Sequence, residues 1–295
     1  MQRRAPWAWA LTAALAVVSP ATAADRPPLV GVSHIAFQVS DAARARAFYG
    51  GLLGYEEAPR SGPSPSNVLR FRVNARQYIE IVPGLPAGKD ERLDHVAFQT
   101  TDLTALRAFL EEKGVKTAEP VLEAGNRAMR VADPDGHAVE FVQHEAGSPM
   151  VRALAPGDGA RRVSTRILHV GLTVADAAAA DRFYKDVLGF SEIWRGGRTD
   201  AVTDWINMKV PDGTDYLEYM LVSGPVDRER LGSLHHVALL VPDIQAALET
   251  VRARPGGLDP KAVRTPQVGR NRRWQLNLFD PDGSRAELME PFTMR

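Results

Sequence analysis

Cysteine is absent from the 295 residues, which removes structural disulfides, thiolate metal ligands and a cysteine nucleophile together. Excess charge is absent too. Lys+Arg and Asp+Glu each number 36, so the chain has no overall basic field of the kind that nucleic-acid binding uses. Beyond the N-terminus no run is apolar enough to span a bilayer. What is present is a chain with 44% hydrophobic residues, able to bury ample core and long enough for about two domains.

Met1–Ala24 reads as a signal peptide. Arg3 and Arg4 supply the positive start, Trp7 to Val18 the apolar run, and Ala21-Thr22-Ala23 the small-residue cleavage site. The apolar run falls short of the ~20 residues a membrane-spanning helix needs. The expectation is therefore an exported protein, periplasmic or secreted, with no membrane attachment after cleavage. Export by the Sec or the twin-arginine route is left open.

One octet is written four times: His34 to Asp41, His95 to Asp102, His169 to Asp176 and His236 to Asp243, with the Asp seven residues after the His each time. Strand alternation puts Ile35, Phe37 and Val39 on one face, and Val96/Phe98, Val170/Leu172/Val174 and Val237/Leu239/Val241 match them. That apolar face predicts burial against a helix. The opposite face, carrying the His and small residues, suits a cavity wall. Each Asp is placed as the N-cap of a following helix, predicted over 42–53, 103–113, 177–188 and 244–254. Gly54, Gly114 and Gly189 are placed to end three of them, and the fourth runs into Pro255-Gly256-Gly257.

After each helix come further strand-like runs, the last of them carrying a Glu between apolar neighbours: Glu80, Glu140, Glu218 and Glu287. Asp133-Pro134-Asp135-Gly136 and Asp280-Pro281-Asp282-Gly283 are turns before two of these strands. The prediction is an α+β chain of two domains, 30–146 and 164–293, each a pair of βαβββ modules. Residues 147–163 form a Gly/Pro-containing linker. Pairing of modules across halves or between chains remains open.

A buried carboxylate costs several kcal/mol unless it is paired or metal-bound. Two sets emerge on the cavity faces: His34/Glu80/His95/Glu140 and His169/Glu218/His236/Glu287. Two imidazoles and two carboxylates suit a divalent metal ion such as Zn, Ni, Mn, Fe or Co. Strand parity adds Gln38, Arg70, Arg72, Tyr78 and Gln99 as candidate substrate contacts in the first half. In the second it adds Trp205, Asn207, Lys209, Tyr216, Asn277 and Arg285. The run Arg270-Asn271-Arg272-Arg273 reads as an exposed loop, and His137 and His144 as ordinary loop or strand-end residues. Parity turns His235 away from His236. About two metals per chain are expected. The second half should be the better occupied, because its wall carries one cation, Lys209, against Arg70 and Arg72.

This pattern resembles the vicinal oxygen chelate superfamily, the glyoxalase / bleomycin-resistance / extradiol-dioxygenase fold. The His-strand-Asp-helix openings carry the resemblance. So do Arg46-Ala47-Phe48-Tyr49 with Leu53-Gly54, Arg182-Phe183-Tyr184 with Leu188-Gly189, and the two Asp-Pro-Asp-Gly turns followed by Glu. The resemblance implies paired βαβββ modules whose mixed sheets curl into a cup around a metal that polarises a substrate with adjacent oxygens. Glyoxalase-like lyases use a His/Glu/His/Glu set, which this chain matches at all eight positions. Extradiol dioxygenases share the tandem architecture but use two His and one Glu in the second half. They also carry a Tyr three residues before the Asp-Pro turn, where this chain has Asn277 or Arg130, and an upstream His. Metal-free relatives only sequester small molecules.

The expectation is a metal-dependent lyase, isomerase or epimerase acting on a small oxygenated molecule through an enediolate, with Glu140 or Glu287 shuttling the proton. An extradiol-type Fe or Mn dioxygenase and a non-catalytic small-molecule-binding protein are the alternatives. A glutathione-dependent activity fits poorly with export. The partner is a small molecule and not nucleic acid, and the chain is a monomer or homodimer.

Overall fold

The computed structural model describes residues 25–59, 67–151, 161–254, 263–292 and 294. The expected leader Met1–Ala24, the Ser61–Ser66 loop, residues 152–160 of the linker and Pro255-Gly256-Gly257 lie outside the described residues. The first half runs β1 (Leu29–Val39), α1 (Ala42–Ala45) continuing as a π-helix (Arg46–Leu52), β2 (Glu56–Glu57), β3 (Leu69–Arg72) and β4 (Tyr78–Pro83). Its second module is β5 (Leu93–Thr100), α2 (Leu103–Glu112), β6 (Val121–Glu123), β7 (Asn126–Ala132) and β8 (Ala138–Gln143). The second half repeats this with β9 (Ile167–Val174), α3 (Ala177–Ala180) with a π-helix (Asp181–Val187), β10 (Ser191–Gly196), β11 (Trp205–Lys209) and β12 (Tyr216–Leu221). An added helix, α4 (Arg228–Leu234), precedes β13 (His236–Leu240), α5 (Ile244–Arg252), β14 (Gln267–Val268), β15 (Trp274–Phe279) and β16 (Arg285–Met289).

Each half is one curled, mixed, eight-stranded sheet, ordered β2-β3-β4-β1-β5-β8-β7-β6 and β10-β11-β12-β9-β13-β16-β15-β14. Modules pair within a half, through antiparallel β1–β5 and β9–β13. The outer strands β2, β6, β10 and β14 carry no apolar alternation; Ser191, Glu192, Ile193 and Arg195 of β10 are all exposed. Such edges escape a periodicity argument, because neither face is buried. The helices begin where the octets place them. Asp41, Asp102, Asp176 and Asp243 each accept hydrogen bonds from backbone N–H groups of the first turn. Two helices differ from the continuous α-helix expected: they widen to π geometry after one turn.

The apolar octet face is buried as predicted. Ile35, Phe37, Val96, Phe98, Val170, Leu172, Val237 and Leu239 belong to one core cluster, with Tyr49, Leu106, Tyr184 and Leu248 from the helices. Burying each such side chain contributes roughly 1.5–3 kcal/mol. The cluster is continuous across the two halves, and Phe98 meets Phe190 edge-to-face at 5.2 Å.

The Asp-Pro-Asp-Gly turns join the halves. Tyr49 Oη donates to Asp280 Oδ2 at 3.0 Å, and Tyr184 Oη donates to Asp133 Oδ2 at 3.0 Å. Asp282 and Asp135 accept from the Ser40 and Ala175 backbones, one residue ahead of the opposite half's N-cap. His137, in the loop just ahead of β8, and His235, turned away from His236 as parity expects, also take part in this joint. Their Nε2 atoms lie 3.2 and 2.9 Å from Thr173 Oγ1, while His235 Nδ1 reaches Glu91 across the joint at 2.9 Å. Among the described residues no helix is long and apolar enough to cross a membrane.

Candidate metal centres

Four central strands of each sheet deliver one ligand candidate apiece to the concave face. In the second half, register puts Gly171 opposite both Glu218 and His236, and Ala238 opposite both His169 and Glu287. The third octet position must therefore be small: it is the floor between four converging side chains. Ala36 and Ala97 do the same in the first half.

His169 Nε2 and His236 Nε2 approach to 2.9 Å. Glu218 Oε2 lies 3.7 and 3.3 Å from them, and Glu287 Oε2 lies 3.7 and 3.5 Å from them. Tyr216 stacks on His169 at 4.4 Å, fixing its ring plane. His236 Nδ1–H donates to the Leu234 carbonyl at 2.8 Å, which leaves the Nε2 lone pair for a metal. Burial pushes both imidazoles well below their ordinary range, so they are neutral. Two neutral imidazoles and two carboxylates with no cation among them fit a divalent ion held by His169, His236, Glu218 and Glu287.

The first half shares the plan but not the pairing. His34 Nε2 and His95 Nε2 are 2.8 Å apart, Glu140 Oε1 lies 3.5 and 3.9 Å from them, and Tyr78 stacks on His34 at 4.2 Å. Glu80, expected as the fourth ligand, is instead held by Arg70 Nε at 2.7 Å. Arg130 Nε holds the other oxygen of Glu140 at 2.9 Å. His34, His95 and Glu140 remain close enough to share an ion, as do His169, His236 and Glu287. Burial opposes a charge on His95, but the Asp94 hydrogen bond at 2.8 Å, with Glu140 and Glu80, holds its pKa above the ordinary value. His144, read as an ordinary strand-end residue, backs this site: its Nε2 lies 3.5 Å from Ser33 Oγ, which lies 3.2 Å from His34 Nδ1.

Above the second site opens a cup of about 470 Å³, a normal size for a small-molecule site. Trp205, Asn277 and Arg285, all proposed from strand parity, line it. Asn207 lies beneath, buried, its Oδ1 without a partner. Tyr78 and Tyr216 support ligand rings instead of lining a cup. Gln38 donates to Asp94, and Gln99 donates to the Val32 and Arg76 carbonyls. Arg72 faces Glu56 at 3.6 Å, and Lys209 Nζ donates to the Val210 and Pro211 carbonyls, away from the cup.

The single-cation wall expected for the second half is overturned. Arg198, Arg230, Arg270 and Arg285 all line the cup, and Arg270 and Asn271 belong to it although their run reads as exposed loop. Trp194 also lines it, from β10, a strand that no apolar alternation reveals; Gln275 lines it too, from β15, where its strand parity with Asn277 was a signal that could have found it. Arg198 and Arg270 are paired with Asp204 and Asp200; no ion pair holds Arg230 or Arg285 among the described residues. The first-half cup, about 570 Å³, is acidic by contrast, with Glu80, Asp94, Glu119 and Glu123 beside Arg130.

Glu287 is pushed up to about 7, first by burial and then by the nearby Glu218 carboxylate, against the pull of Arg285. Its raised pKa means that it takes up a proton as pH falls through about 7, and a cation must then displace that proton. Metal loading should weaken about tenfold per pH unit below that point and level off above it. Co(II) titrations of the metal-stripped protein at pH 8 and pH 6 measure this; equal affinities at both would refute it.

Comparison with known proteins agrees with this architecture. The family described as Glyoxalase/Bleomycin resistance protein/Dioxygenase superfamily matches residues 31–141 and 166–288. A lactoylglutathione lyase of Haemophilus influenzae is 31% identical over 127 residues, covering 42% of this chain and 92% of that protein. The crystal structure of the 2,3-dioxygenase LapB from Pseudomonas sp. KL28 superposes with a TM-score of 0.66 at 19% identity, covering 90% of this chain and 93% of that one. Homoprotocatechuate 2,3-dioxygenase from Arthrobacter globiformis gives 0.69 at 21% identity, covering 92% and 82%.

Proposed function

Because the chain belongs to the Glyoxalase/Bleomycin resistance protein/Dioxygenase superfamily, we propose that its second half is a divalent-metal-dependent lyase or isomerase. It moves a proton beside a carbonyl of a small, anionic, oxygenated substrate. One observation carries the reading: His169, His236, Glu218 and Glu287 converge under a cup whose lining offers those two carboxylates and four guanidinium groups as its titratable groups. The bound ion supplies a Lewis acid that polarises a substrate oxygen.

The chain's own residues do the rest. Glu287 lines the base of the cup, where its carboxylate is placed to take and return a proton at the substrate carbon. Arg285 has Nε and Nη2 buried without partners, and with Arg230 it would neutralise a carboxylate or phosphate on the substrate. Trp194 and Trp205 form apolar walls that exclude water around it.

The tandem dioxygenase likeness favours a second reading, extradiol ring cleavage, but it rests on the fold, and the position where those enzymes resemble one another in carrying Tyr holds Asn277. Assays in D2O against α-hydroxycarbonyl acids and catechols, with and without oxygen, separate the two. Deuterium incorporation without oxygen consumption is the expected result. Oxygen-dependent catechol opening would overturn it.

A further inference from the structure

The two metal centres differ at the register positions opposite their four carboxylates. The strand neighbour opposite Glu80 is Arg70, and opposite Glu140 it is Arg130. In the second half the neighbour opposite Glu218 is Asn207, and opposite Glu287 it is Asn277. Both first-half carboxylates are accordingly held by guanidinium groups, at 2.7 and 2.9 Å, and both second-half carboxylates face neutral amides. The ligand frame is shared: two imidazoles in Nε2–Nε2 contact, a Tyr stacked on the first of them, and small residues on the floor. Two further neighbours are unmatched: Asp94, bonded to His95, and Arg285, beside His236 where the first half has Ala138.

We propose that Arg70 and Arg130 stand in for the metal in the first half, so that the chain carries one divalent ion, in the second half, and that the Arg/Asn choice at these two positions sets occupancy. This rests on the metal reading of the second half. The two guanidinium groups supply the two positive charges that the cation would otherwise supply. Arg70 is locked further by Glu123 at 2.7 Å, and Arg130 lies 3.7 Å from Asp94. A dication entering there would have to break one buried and one half-buried charge-assisted pair or sit against two like charges. Asparagine presents neither obstacle, and the buried Oδ1 of Asn207, opposite Glu218 in register, has no hydrogen-bond partner. With its arginines removed, the first half should bind well, because its cup is otherwise acidic.

The test counts Co(II) per chain in metal-stripped, reloaded full-length protein, by elemental analysis and visible absorption, with circular dichroism reporting the fold. The wild type and His95→Ala should each hold one ion, and His236→Ala none. The double variant Arg70→Asn/Arg130→Asn should hold two, and Asn207→Arg/Asn277→Arg none. Two ions in the wild type, a folded Arg70→Asn/Arg130→Asn protein that stays at one, or metal retained in Asn207→Arg/Asn277→Arg would each overturn the proposal. A wild type that binds no ion would overturn the metal reading itself, and this proposal with it. Should Arg70→Asn/Arg130→Asn fail to fold, the Asn→Arg pair and His95→Ala decide the matter.

Discussion

Glu287→Gln is expected to lower turnover about a thousandfold while leaving both sheets folded, since positioned acid–base groups contribute on the order of 10²–10⁴. The residue is buried at the base of the cup, 3.5 Å from His236 Nε2. Glutamine preserves its volume and removes its proton chemistry. His169, His236 and Glu218 still offer three donors, so metal content at saturating ion should fall less than activity. The measurement is turnover per bound metal, together with solvent-deuterium exchange into the substrate. Glu140→Gln is the matched control. Glu140 was an equal candidate for the proton role on sequence grounds, but Arg130 holds it in an ion pair and, among the described residues, its cup is lined by no other arginine, so turnover should stay near wild type. Equal losses in the two variants would show that the chemistry was assigned to the wrong half, or to both.

That contrast marks how far the sequence could be read. Repetition and strand parity pointed to the His and Glu side chains that the fold gathers on one face of each sheet, because a period of two in a half-buried strand leaves a clear trace. The Asp N-caps were legible for the same reason: their chemistry is local. What stayed hidden is everything set by register between strands. Arg70 and Arg72 alternate with apolar residues alike, yet only Arg70 lies opposite a Glu of the site. Lys209 shares parity with Asn207 but sits at the strand end and turns to backbone carbonyls. Arg270 and Asn271 lie in a loop with no period, brought over the cup by an edge strand of two residues. His137 has no repeat partner, and its role at the joint, with His235 against Thr173, is set by contacts between the halves that a periodicity argument does not reach.

Gly171→Ala should cost the second half at least about a hundredfold in metal affinity, because second-sphere displacements already cost 10–100-fold and this one moves a ligand itself. A methyl group at that position would lie 2.0 Å from His236 Cε1 and 2.2 Å from its Nδ1, inside any tolerable contact. The glycine is not there for its backbone freedom; it is an ordinary strand residue, and the imidazole occupies the space that a side chain would take. The His236 ring is completely buried and held by the Leu234 carbonyl, so yielding means losing that hydrogen bond and the Nε2 aim together. The strand itself tolerates alanine: Ala36 holds the matching position opposite His95 in the first half. The variant should therefore fold, with Co(II) absorption reporting a weakened or absent site. Affinity unchanged from the wild type would mean that His236 can shift without leaving the metal, and that His169, Glu218 and Glu287 dominate binding.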